Sequence, residues 1–161
     1  MFKVAGVACA YVGLGANLGD RAATLTRAID LLADRPAIDV VGVSSFRETD
    51  PVGYLDQPRF LNAAVAVETS LAPAALLATL LEVERELGRV REGPRYGPRT
   101  VDLDLLLMDD LVLDEPGLEL PHPRLHERVF ALEPLAELDP DLVVPGRGPV
   151  RQLLLALQSA P

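Results

Sequence analysis

Residues 88–108 read GRVREGPRYGPRTVDLDLLLM, and the two halves of this stretch have opposite chemistry. The first half interleaves arginines with glycines and prolines, which break helices and strands, so it is predicted to be a loop. The second half, residues 100–108, is rich in leucine and β-branched residues and predicts a buried strand. Side chains alternate between the faces of a strand. One face is expected to carry Asp102, Asp104, Leu106 and Met108, and the other Val101, Leu103, Leu105 and Leu107.

The paired aspartates of this strand predict a metal site. Their Cα atoms should lie about 6–7 Å apart on one face. Two carboxylates at the end of a buried strand repel each other, and a divalent cation offsets that repulsion. Oxygen ligands favour Mg²⁺ or Mn²⁺ over zinc. The alternative is that the pair lies on a solvated acidic face of the sheet.

The four arginines at 89, 91, 95 and 99 strengthen the metal hypothesis. A polyphosphate needs a cation to bridge its oxygens and guanidinium groups to take up the remaining charge. An acid pair beside an arginine loop meets both needs. The alternative is that the arginines pair with nearby acidic side chains, namely Glu82, Glu84, Glu86 and Glu92.

Composition excludes several classes of function. The 161 residues suit a single domain, residues 1–161, with a proper core. A formal net charge of −9 opposes a sequence-independent grip on nucleic acid. Lys3 is the single lysine, and no G-x-x-x-x-G-K-[ST] motif is present, which argues against a P-loop kinase. Cys9 is the single cysteine, so an intramolecular disulfide is impossible. We expect neither an export signal nor a segment that spans a bilayer, and we therefore predict a cytoplasmic protein.

The order of periodic segments predicts an α+β fold. The predicted arrangement is βαββαβ, a ferredoxin-like core with a mainly antiparallel sheet and both helices on one face. A C-terminal helical extension should follow, with Pro134 breaking or bending one of its helices. The predicted strands are 7–14, 38–46, 60–69 and 100–108, and the core helices are 21–33 and 73–87. The later segments are a turn or short hairpin at 109–116, a helix at 129–138, an edge strand at 142–144 and a closing helix at 150–158.

The segment GLGANLGD, residues 13–20, lies at the end of a predicted strand and contains three glycines, as a dinucleotide-binding fingerprint does. Its third glycine comes one place late, and no acidic residue closes a second strand at the required distance. We therefore interpret it as a strand-to-helix turn with Asp20 as N-cap. The long connection over residues 47–59 is expected to be functional or mobile.

Several blocks together resemble a known enzyme family. They are GLGANLGD (13–20), SSFRETDPVG (44–53), DQPRFLNAAV (56–65), ELGRVR (86–91), GPRTVDLDLLL (97–107) and LPHPRLHER (120–128). The chain resembles 6-hydroxymethyl-7,8-dihydropterin pyrophosphokinase, a family of folate biosynthesis. The resemblance implies a ferredoxin-like fold and transfer of pyrophosphate from ATP to the hydroxymethyl group of the pterin, with release of AMP. It also implies two Mg²⁺ ions.

The resemblance assigns roles to individual residues. The metal ligands would be Asp102 and Asp104, which count as catalytic together with Arg89 and Arg99. ATP would contact Glu84, Arg91, Tyr96, Leu105, His122 and Arg128. The pterin would lie between Phe60 and Phe130 and meet Asn62, Thr49 and main-chain groups near Val52. Taken alone, the two phenylalanines would fit plain core packing, and His122 would fit a structural histidine.

Three functions are considered, and only the resemblance, not the residues by themselves, separates transfer of pyrophosphate from transfer of a single phosphate. The first is the pyrophosphokinase, acting on ATP and the pterin as a monomer with no nucleic-acid or membrane partner. The second is a ferredoxin-like sensor that binds an acidic metabolite at the arginine loop without catalysis. The third is an ordinary kinase of the same substrate that releases ADP, which differs from the first in its nucleotide product.

Overall fold

The main sheet contains five strands, and all of its pairings are antiparallel. The computed structural model describes residues 6–50, 56, 58–88 and 101–159. The strands run in the order β2-β4-β1-β5, and β3 pairs with the part of β4 that β2 does not reach. This is the predicted ferredoxin-like order, which is therefore confirmed. The strand bounds are β1 Ala8–Ala16, β2 Ile38–Val43, β3 Arg47–Thr49, β4 Phe60–Thr69 and β5 Asp102–Met108.

Two helices cover one face of this sheet, as predicted. They are α1, Arg21–Ala33, and α2, Pro73–Glu86. The backbone N–H of Ala23 donates to the Asp20 side chain at 3.1 Å, which confirms Asp20 as the N-cap of α1. The core between helices and sheet is aliphatic, and each fully buried leucine contributes roughly 1.5–3 kcal/mol. Its fully buried members include Leu25, Leu32, Leu76, Leu80, Val12 and Val65.

The C-terminal extension covers part of the opposite face. A short 3₁₀ turn, Leu125–Glu127, leads into α3, Val129–Leu138, and the chain closes with α4, Val150–Gln158. The helix α3 runs through Pro134 without a break, because the buried residues Leu132 and Leu135 hold it in the core on both sides of the proline. The hairpins are β6 Leu113–Glu115 with β7 Leu118–Leu120, and β8 Val143–Val144 with β9 Gly148–Pro149.

A bulge in β5 changes the predicted alternation. Tyr11 pairs with Leu107 but the next residue of β1 pairs with Leu105, so Leu106 is an extra residue on β5. A bulge of this kind shifts the following side chains to the other face. Leu107 therefore packs with α3 and α4, and Met108 packs in the core under α1 and α2. The prediction that Met108 shares a face with the aspartates is wrong for this reason.

Strands β1 and β2 end at different residues from those predicted. The strand β1 continues to Ala16 because Gly13 and Gly15 pair with both neighbouring strands. The strand β2 ends at Val43, and β3 lies at the start of the connection 47–59 that was expected to be functional or mobile. In the part of the chain that the structure describes, no helix has the length and apolarity needed to cross a membrane.

Candidate active site

Two glycines of β1 lie on the sheet face opposite α1 and α2 and form the floor of a cavity that extends round the edge strand β5 to α2. Gly15 lies in register between Asn62 and Asp102, and Gly13 lies between Ala64 and Asp104. A Cβ atom at Gly15 would lie 2.8 Å from Asn62 Oδ1, so no larger residue fits there unless Asn62 moves. Sequence analysis assigned these glycines to a turn and missed this role. Glycines two positions apart inside a strand are the signal that could have indicated it, since they mark the close approach of a ligand or backbone.

The cavity has a volume of about 720 Å³, which is typical of small-molecule sites. It brings together nine of the residues that sequence analysis singled out. They are Thr49, Phe60, Asn62, Glu84, Asp102, Asp104, His122, Arg128 and Phe130. Sequence analysis missed Asp50 and Arg85, which also line it.

A smaller cavity of about 320 Å³ adjoins the first. The two linings share five residues, among them Asp104 and His122. Leu105, predicted to contact ATP, lines this second cavity and not the larger one. Five predicted site residues lie outside the described part of the chain, and their roles remain predictions. They are Val52, Arg89, Arg91, Tyr96 and Arg99.

One end of the larger cavity combines aromatic rings with a fixed amide. Phe60 begins β4 and Phe130 lies in the first turn of α3, and both are half-buried. Asn62 is 7% exposed, and its Nδ2 donates a hydrogen bond to Thr49 Oγ1. This bond fixes the orientation of the amide. Two rings with an oriented amide can bind a flat heterocycle and recognise its edge.

The other end of the cavity is acidic. Asp102 and Asp104 lie two residues apart on the edge strand β5, and both are half-buried. Glu84 is 2% exposed, and its Oε2 accepts a hydrogen bond of 2.8 Å from the backbone N–H of Leu103. This bond ties α2 to the strand segment between the aspartates. Glu84 therefore positions that segment, whatever contact it makes with a ligand.

The donor set of the acidic end fits magnesium. Mg²⁺ is commonly held by one or two carboxylates and completes its shell with water and phosphate oxygens. Asp102 and Asp104 supply such a pair of carboxylates. The cavity that they line has room for water and for phosphate oxygens. Among residues 6–50, 56, 58–88 and 101–159, no group of three or more His, Cys, Asp or Glu side chains could enclose a metal. The arrangement therefore suits a cation shared with a ligand better than a closed structural metal site.

His122 lies between the two ends and is held in one tautomer. Its backbone N–H donates to Leu106 O at 2.9 Å, and its Nδ1 accepts from the backbone N–H of Arg124 at 3.2 Å. Burial, and secondarily the charge of Arg128, lower the pKa of His122 to about 4, although Asp102 acts in the opposite direction. The ring is therefore neutral near pH 7, with its proton on Nε2. It can donate one hydrogen bond to a ligand oxygen.

Arg128 supplies a cation beside the aromatic end. It precedes α3, and its Cζ lies 5.5 Å from the centroid of the Phe130 ring, within the range of a cation–π contact. Its guanidinium lines the same cavity as the aspartates. The cavity thus presents an aromatic surface, carboxylates and a guanidinium within one enclosure, which suits a ligand that is planar at one end and anionic at the other.

Comparisons with known proteins agree with this chemistry. Residues 11–140 match the family described as 7,8-dihydro-6-hydroxymethylpterin-pyrophosphokinase (HPPK). A 2-amino-4-hydroxy-6-hydroxymethyldihydropteridine pyrophosphokinase of Bacillus subtilis is 52% identical over 129 residues, which are 80% of this chain and 77% of the relative. The enzyme of the same name from Methylorubrum extorquens is 49% identical over 148 residues, 92% of each chain.

The fold also matches solved structures. A crystal structure of Plasmodium falciparum HPPK-DHPS with pterin and p-hydroxybenzoate aligns with a TM-score of 0.72 at 14% identity. The alignment covers 93% of this chain and 42% of that longer chain, so the chain spans less than half of its length. With the family match over residues 11–140 and the two close relatives, this chain belongs to the 7,8-dihydro-6-hydroxymethylpterin-pyrophosphokinase family.

Proposed function

We propose that the protein transfers pyrophosphate from ATP to the hydroxymethyl group of 6-hydroxymethyl-7,8-dihydropterin and releases AMP, as a step of folate biosynthesis. The observation that carries this proposal is the row formed by Asn62, Gly15 and Asp102 across three neighbouring strands. It places an amide suited to a heterocycle and a carboxylate suited to a metal in one cavity, with a bare glycine between them. The family to which the chain belongs carries the same activity in its description.

The pterin is assigned to the aromatic end. Its flat ring would stack between Phe60 and Phe130, which line the cavity from β4 and α3. Asn62 would hydrogen-bond the ring edge, with its amide held in place by Thr49. Both phenylalanines are half-buried and line the cavity, so each exposes part of its side chain there.

ATP is assigned to the acidic end and the smaller cavity. Leu105 and Leu118 give that cavity apolar walls, which suit a nucleoside. The triphosphate would then cross the shared residues Asp104 and His122 on its way to the pterin. Arg128 would take up phosphate charge, and the predicted roles of Arg89, Arg91, Tyr96 and Arg99 are kept as part of this proposal.

Asp102 and Asp104 would hold two Mg²⁺ ions, which when bound offset phosphate charge and orient the triphosphate. The pterin hydroxyl oxygen forms a bond to the β-phosphorus, the bond from that phosphorus to the α-phosphate oxygen breaks, and AMP leaves. The hydroxyl proton passes to water or to a nearby carboxylate. No described side chain is required as a dedicated base, so positioning and charge supply most of the rate.

We further propose that the chain acts as a cytoplasmic monomer. The non-catalytic alternative, a sensor of an acidic metabolite, gives no reason to combine an aromatic pocket with the aspartate pair. An ordinary kinase of the same pterin would use the same residues and differ in releasing ADP.

Magnesium dependence of ATP binding tests the assignment of the acidic end. In calorimetric titrations, ATP should bind wild-type protein in the presence of Mg²⁺, and Asp104→Asn should weaken that binding about 10-fold or more. Asp114→Asn is the matched control, because Asp114 is exposed on β6 and lines neither cavity. If the Kd for ATP changes neither on removal of Mg²⁺ nor in Asp104→Asn, the result would favour the sensor and overturn the proposal.

A further inference from the structure

A second network of charges lies beside the pterin end of the cavity. Arg47 on β3 donates from Nη1 to Glu133 Oε2 at 3.0 Å and from Nη2 to Glu137 Oε1 at 2.7 Å. Both glutamates belong to α3, one turn apart. We call this arrangement of Arg47 with Glu133 and Glu137 the Arg47 fork. It joins β3 to α3 across the face of the sheet that carries the cavity.

Further hydrogen bonds support the fork. Each of its three side chains is 34% exposed, so water screens the pairs less than at a fully open site. Glu137 also accepts hydrogen bonds from Ser45 N at 2.7 Å and from Ser45 Oγ at 2.6 Å. These bonds, together with Arg47, hold the pKa of Glu137 below its usual value, so its carboxylate stays charged. Four hydrogen bonds therefore connect the start of β3 with one side of α3.

Both sides of the cavity's aromatic end are attached to this fork. Arg47 is the cross-strand partner of Asn62, and Thr49 is the partner of Phe60, so all four share one face of the sheet. On α3, Phe130 precedes Glu133 by three residues and Glu137 by seven, which places the three on one side of the helix. The fork thus fixes the side of α3 that carries Phe130 against the strands that carry Asn62 and Phe60.

We propose that Arg47 is a positioning residue for the pterin: by bridging Glu133 and Glu137 it sets the separation between the Phe130 wall and the Phe60–Asn62 wall. The proposal rests on the proposed function, because it takes the pterin as the ligand between those walls. Arg47 acts through the residues that it holds and lines neither cavity itself. A gap of fixed width favours a planar ring over other ligands at little entropic cost.

Another arginine of the same chain offers a matched control. Arg35, just after α1, donates to Glu82 at 3.5 Å and to Glu86 at 2.9 Å, two glutamates one turn apart on α2. Arg35 is 28% exposed and lies on the other face of the sheet. Arg35→Met therefore removes a similar fork between two elements, away from the pterin end.

Steady-state kinetics separates positioning from general stability. Arg47→Met should raise the KM for the pterin roughly 5-fold or more, and leave the KM for ATP and kcat at saturating pterin within about 2-fold. Arg35→Met should leave both KM values within about 2-fold of wild type. Arg47→Lys should recover part of the loss, because one charge-assisted bond can re-form. An unchanged pterin KM in Arg47→Met, or an equal rise in Arg35→Met, would overturn the proposal.

A spectroscopic measurement tests whether the Arg47 fork positions Phe130, without relying on catalytic activity. The chain has four phenylalanines, so fluorophenylalanine labelling gives a ¹⁹F spectrum that can be assigned residue by residue. Arg47→Met should shift or broaden the Phe130 signal in the ligand-free protein, and Arg35→Met should not. If the wild-type protein forms no pterin-dependent AMP, the proposed function is rejected. The ¹⁹F spectrum would still show whether the Arg47 fork positions Phe130. If Arg47→Met does not fold, Glu133→Gln replaces it in both measurements, with the same expected direction.

Discussion

Replacing Gly15 by alanine should damage pterin binding through Asn62. The added Cβ would lie 2.8 Å from Asn62 Oδ1 and 3.8 Å from Phe60 Cδ1. A separation of 2.8 Å is shorter than carbon and oxygen tolerate without a hydrogen bond, so the Asn62 side chain must move. Its hydrogen bond to Thr49 is then lost or bent, and the amide no longer faces the pterin edge.

The size of the effect follows from that displacement. Leaving a buried polar group without its partner costs about 1–3 kcal/mol. That cost corresponds to an increase of about 5- to 150-fold in the Kd of the pterin. Binding of ATP should change less than about 3-fold, because the new methyl group lies between Asn62 and Phe60, at the aromatic end.

Fluorescence titration with 6-hydroxymethylpterin measures the effect directly. Gly42→Ala is the control. The added Cβ would lie 3.3 Å from Leu138, and Gly42 lines neither cavity. A double-mutant cycle with Asn62→Ala tests the cause: the two changes should be strongly non-additive, because both remove the same amide. Wild-type affinity in Gly15→Ala, or additive losses in the cycle, would refute the reasoning.

Three further predictions concern Asp104, Arg99 and His122. Asp104→Ala should nearly abolish turnover; wild-type kcat at saturating Mg²⁺ would contradict the metal assignment. Arg99→Ala should lower kcat more than it weakens pterin binding, and the reverse pattern would restrict Arg99 to ground-state binding. His122 should titrate by NMR with a midpoint near pH 4, the value that burial imposes on its pKa. Because the unfolded chain protonates this ring more readily, near pH 6.5, the free energy of unfolding should fall by at most about 3 kcal/mol as pH drops from 7 to 4. His122→Gln should remove that part of the pH dependence, and a midpoint above pH 6 would contradict the account.

Local patterns predicted most of the fold because they agree with one another. The bounds of α1, β4, α3 and α4 match the predicted ranges, since apolar periodicity and a capping or breaking residue coincide at their ends. The bulge in β5 could not be predicted, because it depends on how Leu106 packs against the C-terminal helices. The same holds for β3, a three-residue strand that exists only because β4 extends beyond β2.

The candidate site was predictable as a set of residues but not as an arrangement. Alternation predicted that Asp102 and Asp104 share one face of their strand, and the resemblance pointed to Phe60 and Asn62. The structure brings all four residues into one cavity. The role of Gly15 as its floor needed the register of three strands. The Arg47 fork needed the position of α3, which no local pattern contains. Long-range register and helix placement are therefore what sequence reasoning lacked.

The nucleotide product of the reaction tests the central claim most directly. The protein would be mixed with ATP, Mg²⁺ and 6-hydroxymethyl-7,8-dihydropterin, and AMP resolved from ADP by chromatography. The account predicts AMP that forms only with the pterin present, at one AMP for each pterin consumed. ADP in place of AMP would indicate an ordinary kinase, and no product with ATP binding retained would indicate a sensor; either result would contradict the account.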